Sequence, residues 1–252
     1  MGNAKRAVVG IRPPAWRLLL AGAMASLARW LRRLTANGSP DTIRIMADIR
    51  ITSIAVPLDR PPLANLAMQL VRRAAALGLL PDKPIRQLDM PLVRSIAREA
   101  SEHGIGQDVS VALLSKRIAT TRLEGLIGQL DRSLEGSSVP AREARELLGV
   151  FDRDGLAEQL GTSQVSLGRY LTGARPWPDD IAARLHWLAM VVGDLRGGYN
   201  DYGVRRWFDR ARPQLGGRSP RRVLGTGWKP DSRAAERVRE LAASLAGPGG
   251  AT

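Results

Sequence analysis

Apolar residues recur at helical spacing along most of this chain. Ala15 to Leu34, AWRLLLAGAMASLARWLRRL, reads as one helix with a strong apolar side. A second helix runs from Pro61 to Leu80 and is closed by Pro81. A loop with Pro84 leads to a third, roughly Pro91 to His103, and two more fall within Val109 to Leu134. His103 precedes Gly104, where a capping or surface role is expected of it. Pro140 opens PAREARELLGVF, with Ser138 as the expected N-cap. The long apolar helix IAARLHWLAMVVGDL follows Asp179 and Asp180, whose charges suit a positive helix end. His186, beside Trp187 in its middle, reads as a packed or half-exposed helix residue.

One segment departs from this period. Ile43, Ile45, Ala47, Ile49 and Ile51 alternate with Thr42, Arg44, Asp48, Arg50 and Thr52, the rhythm of a half-buried strand. The phase then slips, and Ile54 and Val56 continue to Pro57. A lone strand leaves its backbone groups without partners, so it is expected to pair with its copy in a dimer or with a partner protein.

Leu156 to Leu171, LAEQLGTSQVSLGRYL, has the layout of a helix-turn-helix. Ala157 lets two helices approach, Gly161 supplies the backbone angle of a sharp turn, and the second helix starts near Ser163. Leu167 and Tyr170, with Leu171 beside them, form the side that packs inward. Thr162, Ser163, Gln164, Val165, Ser166 and Arg169 are left for a major groove, with Thr172 and Arg175 just beyond. Gln164 and Arg169 are the expected base readers, since glutamine suits adenine and arginine guanine. Ser163, Thr172 and Arg175 are expected on the phosphate backbone. The alternative for the same residues is a helical bundle whose polar side merely faces water. Leu113 to Leu130, LLSKRIATTRLEGLIGQL, can be slid onto this motif, but Gly125 and Gly128 fall where the buried Leu167 and Tyr170 stand. An ordinary helical hairpin is the better reading there, a second reading head the alternative.

Breaks at Asn37-Gly38-Ser39-Pro40 and at Glu135 to Val139 suggest a division of the chain. Residues 1–40 form a basic amphipathic segment and 41–136 a helical domain with a strand near 42–56. Residues 138–196 form the helix-turn-helix domain, 197–246 a C-terminal helical subdomain and 247–252 a tail. The fold class is therefore mainly α.

Charge sharpens this picture. The formal net charge is +14, and the sequence pI is about 11.4, which suits a polyanionic partner such as nucleic acid. Residues 1–60 carry 10 Lys/Arg against 3 Asp/Glu, 61–150 carry 12 against 10, and 151–252 carry 16 against 11. Nearly all of it is arginine, a bias that a GC-rich genome would also produce. Residues 14–34 read as a core or interface helix, with membrane-surface contact or a targeting role as less favoured alternatives. Starts at Met24 or Met46 would remove part or all of that stretch. Its apolar run is shorter than the about 20 residues that a membrane span requires.

Chemistry of other kinds finds little material. There is no cysteine, and the only histidines are His103 and His186, so no metal site, cofactor or catalytic residue is expected. No glycine-rich phosphate loop precedes a Lys-Ser/Thr pair, and the chain does not read as an enzyme.

The last third predicts a helix ending at Arg206-Trp207-Phe208, a turn through Arg212-Pro213, a short helix with Leu224 and a terminal helix from about Ser232 to Leu245. The succession Trp207, Pro213, Leu215, Gly217, Pro220 and Leu224, placed after an Xre-type helix-turn-helix and a long helix, resembles the Xre/MbcA/ParS antitoxins. The resemblance covers roughly Pro140 to Leu245. The first 135 or so residues have no counterpart in it, and the insert Gly225 to Pro230 is richer in glycine than the pattern. The resemblance implies a cytoplasmic, nucleoid-associated bacterial protein, a homodimeric repressor that binds double-stranded DNA. It also implies that the C-terminal region, through Trp207, Leu215, Pro220, Leu224, Arg237 and Leu241, neutralises a RES-domain toxin that consumes NAD. The remaining readings are a stand-alone phage- or plasmid-type regulator and a protein-interaction module without DNA binding.

Overall fold

In the computed structural model, residues 49–245 are described. They lie within one unit, Arg44–Thr252. The amphipathic segment 14–34, the strand residues 43–48, the alternative starts and the tail 247–252 fall outside the described residues. The fold is mainly α: strand β1 (Ile49–Ile54), α1 (Pro61–Ala76), strand β2 (Ile85–Leu88), α2 (Met90–Glu102), α3 (Gln107–Leu114), α4 (Thr120–Glu135), α5 (Pro140–Val150), α6 (Arg153–Leu160), α7 (Gln164–Leu171), α8 (Asp179–Leu195), α9 (Asp201–Asp209), a 3-10 turn at Pro213–Leu215, α10 (Pro220–Leu224) and α11 (Arg233–Ser244).

The fold is organised around α8. From Trp187 to Gly193 every residue of this helix is buried, as expected of a helix that is apolar all round. It packs on α5, α1, α11 and α6. A methyl group on Gly193 would lie 3.0 Å from Cβ of Ala76, so glycine is what lets α8 close onto α1. A single apolar core runs from Leu58 through Leu134 and Leu188 to Ala242.

Two expectations change with this continuity. The break expected to divide the chain at Glu135 to Val139 is a short turn inside that unit. Its Glu135 pairs with Arg73 of α1 and Arg239 of α11. Ser138 does not cap α5; instead the buried Glu143 reaches back and accepts from the Val139 backbone N–H at 2.8 Å. Leu113 to Leu130, by contrast, ends one helix and enters the 16-residue α4, as a helical hairpin would.

The strand is also corrected. β1 has a partner within the chain, pairing in parallel with β2, with Ile49 opposite Ile85 and Ile54 opposite Leu88. β2 falls where the sequence suggests a loop, because its four residues, Ile85-Arg86-Gln87-Leu88, are too few to display a period between Pro84 and Asp89. Asp89 then caps α2, accepting from Leu92 N–H at 2.9 Å, and His103 is the C-cap of that helix.

Candidate nucleic-acid interface

The motif at Leu156 to Leu171 folds as two eight-residue helices, α6 and α7. Asp152 caps α6 through a 2.7 Å bond from Gly155 N–H. Gly161 ends it at φ +69, a left-handed conformation that favours glycine. Ser163 then caps α7, accepting from Ser166 N–H at 3.1 Å while its hydroxyl donates to Ser166 Oγ at 3.0 Å.

One side of α7 is core. Leu167 is fully buried, Tyr170 is buried against Trp177 with ring centroids 5.2 Å apart, and Leu171 is half-buried. The other side presents Gln164, Val165 and Arg169 to solvent, with Val165 65% exposed. Thr162 and Ser166 are half-buried at its edge. Arg175, exposed beyond the helix, lies 5.8 Å from the Tyr170 ring centre, and its backbone N–H donates to Arg169 O. Gln164, Val165 and Arg169 thus share the exposed side of α7.

Two hydroxyls assigned to phosphate are already engaged. Ser163 is the helix cap, and Thr172 donates back to Gly168 O at 3.0 Å. A phosphate contact would require each hydroxyl to turn its one hydrogen away from the partner it has within the chain. The cationic donors near α7 are Arg169, Arg175 and, unmarked in the sequence, Arg153, whose Nη1 approaches to 3.9 Å of where a Gly168 Cβ would stand.

Sequence reasoning also missed what fixes this corner. Arg184 of α8 donates to Leu160 O at 2.7 Å and to Trp228 O at 2.8 Å. The Trp228 indole donates to Gln159 O at 2.9 Å and meets Trp187 edge-on, centroids 4.7 Å apart. Arg221 pairs with both Glu158 and Asp209 at 2.8 Å. These links cross 24 to 69 positions of sequence in the case of Arg184 with Leu160 and Trp228 with Gln159, so no local pattern announces them.

The residues assigned to a protein partner separate into two groups. Trp207, Leu215, Pro220 and Leu224 are buried, Trp207 and Leu215 each at 1% exposure. Trp207 packs edge-on against Phe208 and lies beneath the Arg212 guanidinium, 5.4 Å from its ring centre. These four residues hold the C-terminal helices together and are not accessible to a partner. Arg237 is exposed and Leu241 half-buried, one turn apart on α11.

A second concentration of charge lies inside, where α1, α4, α5, α8 and α11 meet. Arg73 contacts Asp131 and Glu135, Gln69 donates to Asp131 at 2.9 Å, and Arg239 pairs with Glu135. Burial raises the carboxyl pKa of Asp131 and Asp194, against the pull of Arg73. Burial also pushes Glu135 upward, but Arg73 and Arg239 outweigh it and hold the carboxyl low. The cluster is largely paired within the chain, and its role is to join helices. Among the described residues no group of three or more His, Cys, Asp or Glu side chains could hold a metal ion. Among them, too, no helix is long and apolar enough to cross a membrane. No family model, curated protein or solved structure matches this chain.

Proposed function

We propose that this protein is a sequence-specific DNA-binding repressor that reads a major groove of double-stranded DNA with α7. The observation that carries the reading is the division of that helix. Gln164, Val165 and Arg169 stand exposed on one side, while Leu167 and Tyr170 anchor the other in the core. A rigid helix with short or hydrogen-bonding side chains on its free side meets the demands of groove entry. Arg169 reads guanine, Gln164 reads adenine, and Val165 lies against a thymine methyl. Arg153 and Arg175 hold the phosphates on either side and set register without reading sequence. The net charge of +14 supports the same partner. The protein acts in the cytoplasm as a homodimer on two half-sites, the usual arrangement for this motif.

Gel-shift titration against duplexes selected from a random pool tests this reading. Arg169→Ala is expected to weaken the selected site and relax its preference at one base pair. Unchanged binding by that variant would remove the assignment of α7.

A second proposal rests on α11. Arg237 and Leu241 share one face, which a protein can reach, so neutralisation of a RES-type toxin would run through them rather than through the buried Trp207 set. Pulldown of the neighbouring gene's product by wild type and Leu241→Glu tests it. A stand-alone regulator would capture nothing with either form.

A further inference from the structure

The insert Gly225 to Pro230 has no role in the helix-turn-helix, yet it is fastened to it. Gly225 and Gly227 adopt φ of +69 and +67, backbone turns that glycine makes at little cost. Between and after them the chain directs Trp228 inward, 6% exposed, and leaves Thr226 and Lys229 exposed.

Three contacts fix the position of this loop. The Trp228 indole is bonded to Gln159 O, near the C-terminal end of α6. The Arg184 guanidinium holds the last α6 carbonyl, that of Leu160, and the Trp228 carbonyl together. Gly227 N lies 3.8 Å from where a Cβ on Gly161 would stand, so the loop backbone abuts the turn that leads into α7. In the docking of a helix-turn-helix, the N-terminal residues of the second helix approach the bases. The loop is therefore placed beside the end of α7 that enters the groove.

Two cations at and just before the loop are unspent. Neighbouring Arg221 is paired with Glu158 and Asp209, whereas exposed Arg222 and Lys229 have no acidic partner among the described residues. We infer that the Gly225–Pro230 loop is a wing of the DNA-binding surface, with Lys229, and Arg222 just before it, held against the phosphate backbone alongside α7. This inference rests on the DNA-binding reading and adds a second element to the interface.

The test uses the full-length chain and a short duplex carrying the sequence that wild type selects from a random pool, with binding measured by fluorescence anisotropy over a range of salt. Each phosphate contact contributes about 0.9 to the slope of log K against log salt. The double variant Arg222→Ala/Lys229→Ala should therefore lower that slope by about 2 and weaken binding at moderate salt by about tenfold or more. Its ranking of base substitutions in the site should stay as in wild type, unlike Arg169→Ala. Both side chains are exposed, so loss of the fold does not confuse the result. If slope and affinity are unchanged while Arg169→Ala weakens binding, the wing is overturned and α7 stands. If wild type selects no sequence and binds no duplex, both fall together.

Discussion

Nδ1 of His186 on α8 lies 2.9 Å from Oε1 of the fully buried Glu143 on α5, and its Nε2 lies 2.8 Å from the Glu135 backbone carbonyl at the end of α4. Both ring nitrogens thus face acceptors, an environment that only the doubly protonated imidazolium satisfies. One side chain joins three helices and spans the turn at which the sequence suggested a division of the chain.

The pair makes stability depend on pH. Burial alone would depress the imidazolium, but the hydrogen bond and charge of Glu143, with the Glu135 carbonyl, outweigh it. The His186 pKa stands above its ordinary 6.5 despite the opposing charge of Arg239. A raised folded pKa means that stabilisation is fully present below pH 6.5 and fades as pH rises through the folded value. Urea unfolding of wild type and His186→Gln should therefore differ most below pH 6.5, with the gap narrowing above it. A gap that widens with pH would contradict this account of the pair.

Arg169→Ala should cost about 1–3 kcal/mol on the selected DNA site. The side chain is exposed and has no hydrogen-bond partner in the fold, so the unfolding free energy should move by no more than about 0.5 kcal/mol. Anisotropy titration and thermal melts of the same sample separate the two effects.

Trp207→Ala should destabilise the chain by about 3–5 kcal/mol, because a large buried side chain leaves a cavity between Phe208 and Arg212. Were Trp207 instead a partner-contacting residue, the variant would unfold at the wild-type urea midpoint.

Arg184→Lys should lose stability although charge is kept. A lysine cannot hold the Leu160 and Trp228 carbonyls with one fork, and a buried carbonyl left unpaired costs about 1–3 kcal/mol. Trp228 fluorescence is expected to shift toward the red as the loop loosens. An unshifted spectrum and wild-type stability would show that the clamp is dispensable.

A fragment of residues 138–196 should not fold by itself. It keeps α5, α6, α7 and α8 but removes α1 and α11, two of the four helices that pack on α8. Circular dichroism of the fragment is expected to show weak helicity and no cooperative melt, while the chain from 44 to 252 melts cooperatively. A sharp transition in the fragment would restore the helix-turn-helix as an independent domain.

Elements with a long period and a marked end were legible from the residues. Pro61, Pro140, Asp179 and Ser232 lie at the starts of helices within a residue or so, and Gly161 and Ser163 bound the turn of the motif as expected. The exposed side of α7 followed from the same periodicity. β2 was not legible, being four residues long, and neither was the engagement of the Thr172 hydroxyl.

The sequence by itself determined the mainly helical fold class, the helix-turn-helix and which side of α7 faces water, because helix period, caps and turn glycines act over a few neighbouring residues. Tertiary structure alone decided that β1 pairs with β2, that Trp207 and Leu224 are core, and that Glu135 to Val139 lies inside one unit. It also placed Arg184 and Trp228 at the corner before α7. Burial and hydrogen bonds between residues up to 104 positions apart, as for Glu135 and Arg239, depend on how helices pack, and no local spacing encodes them.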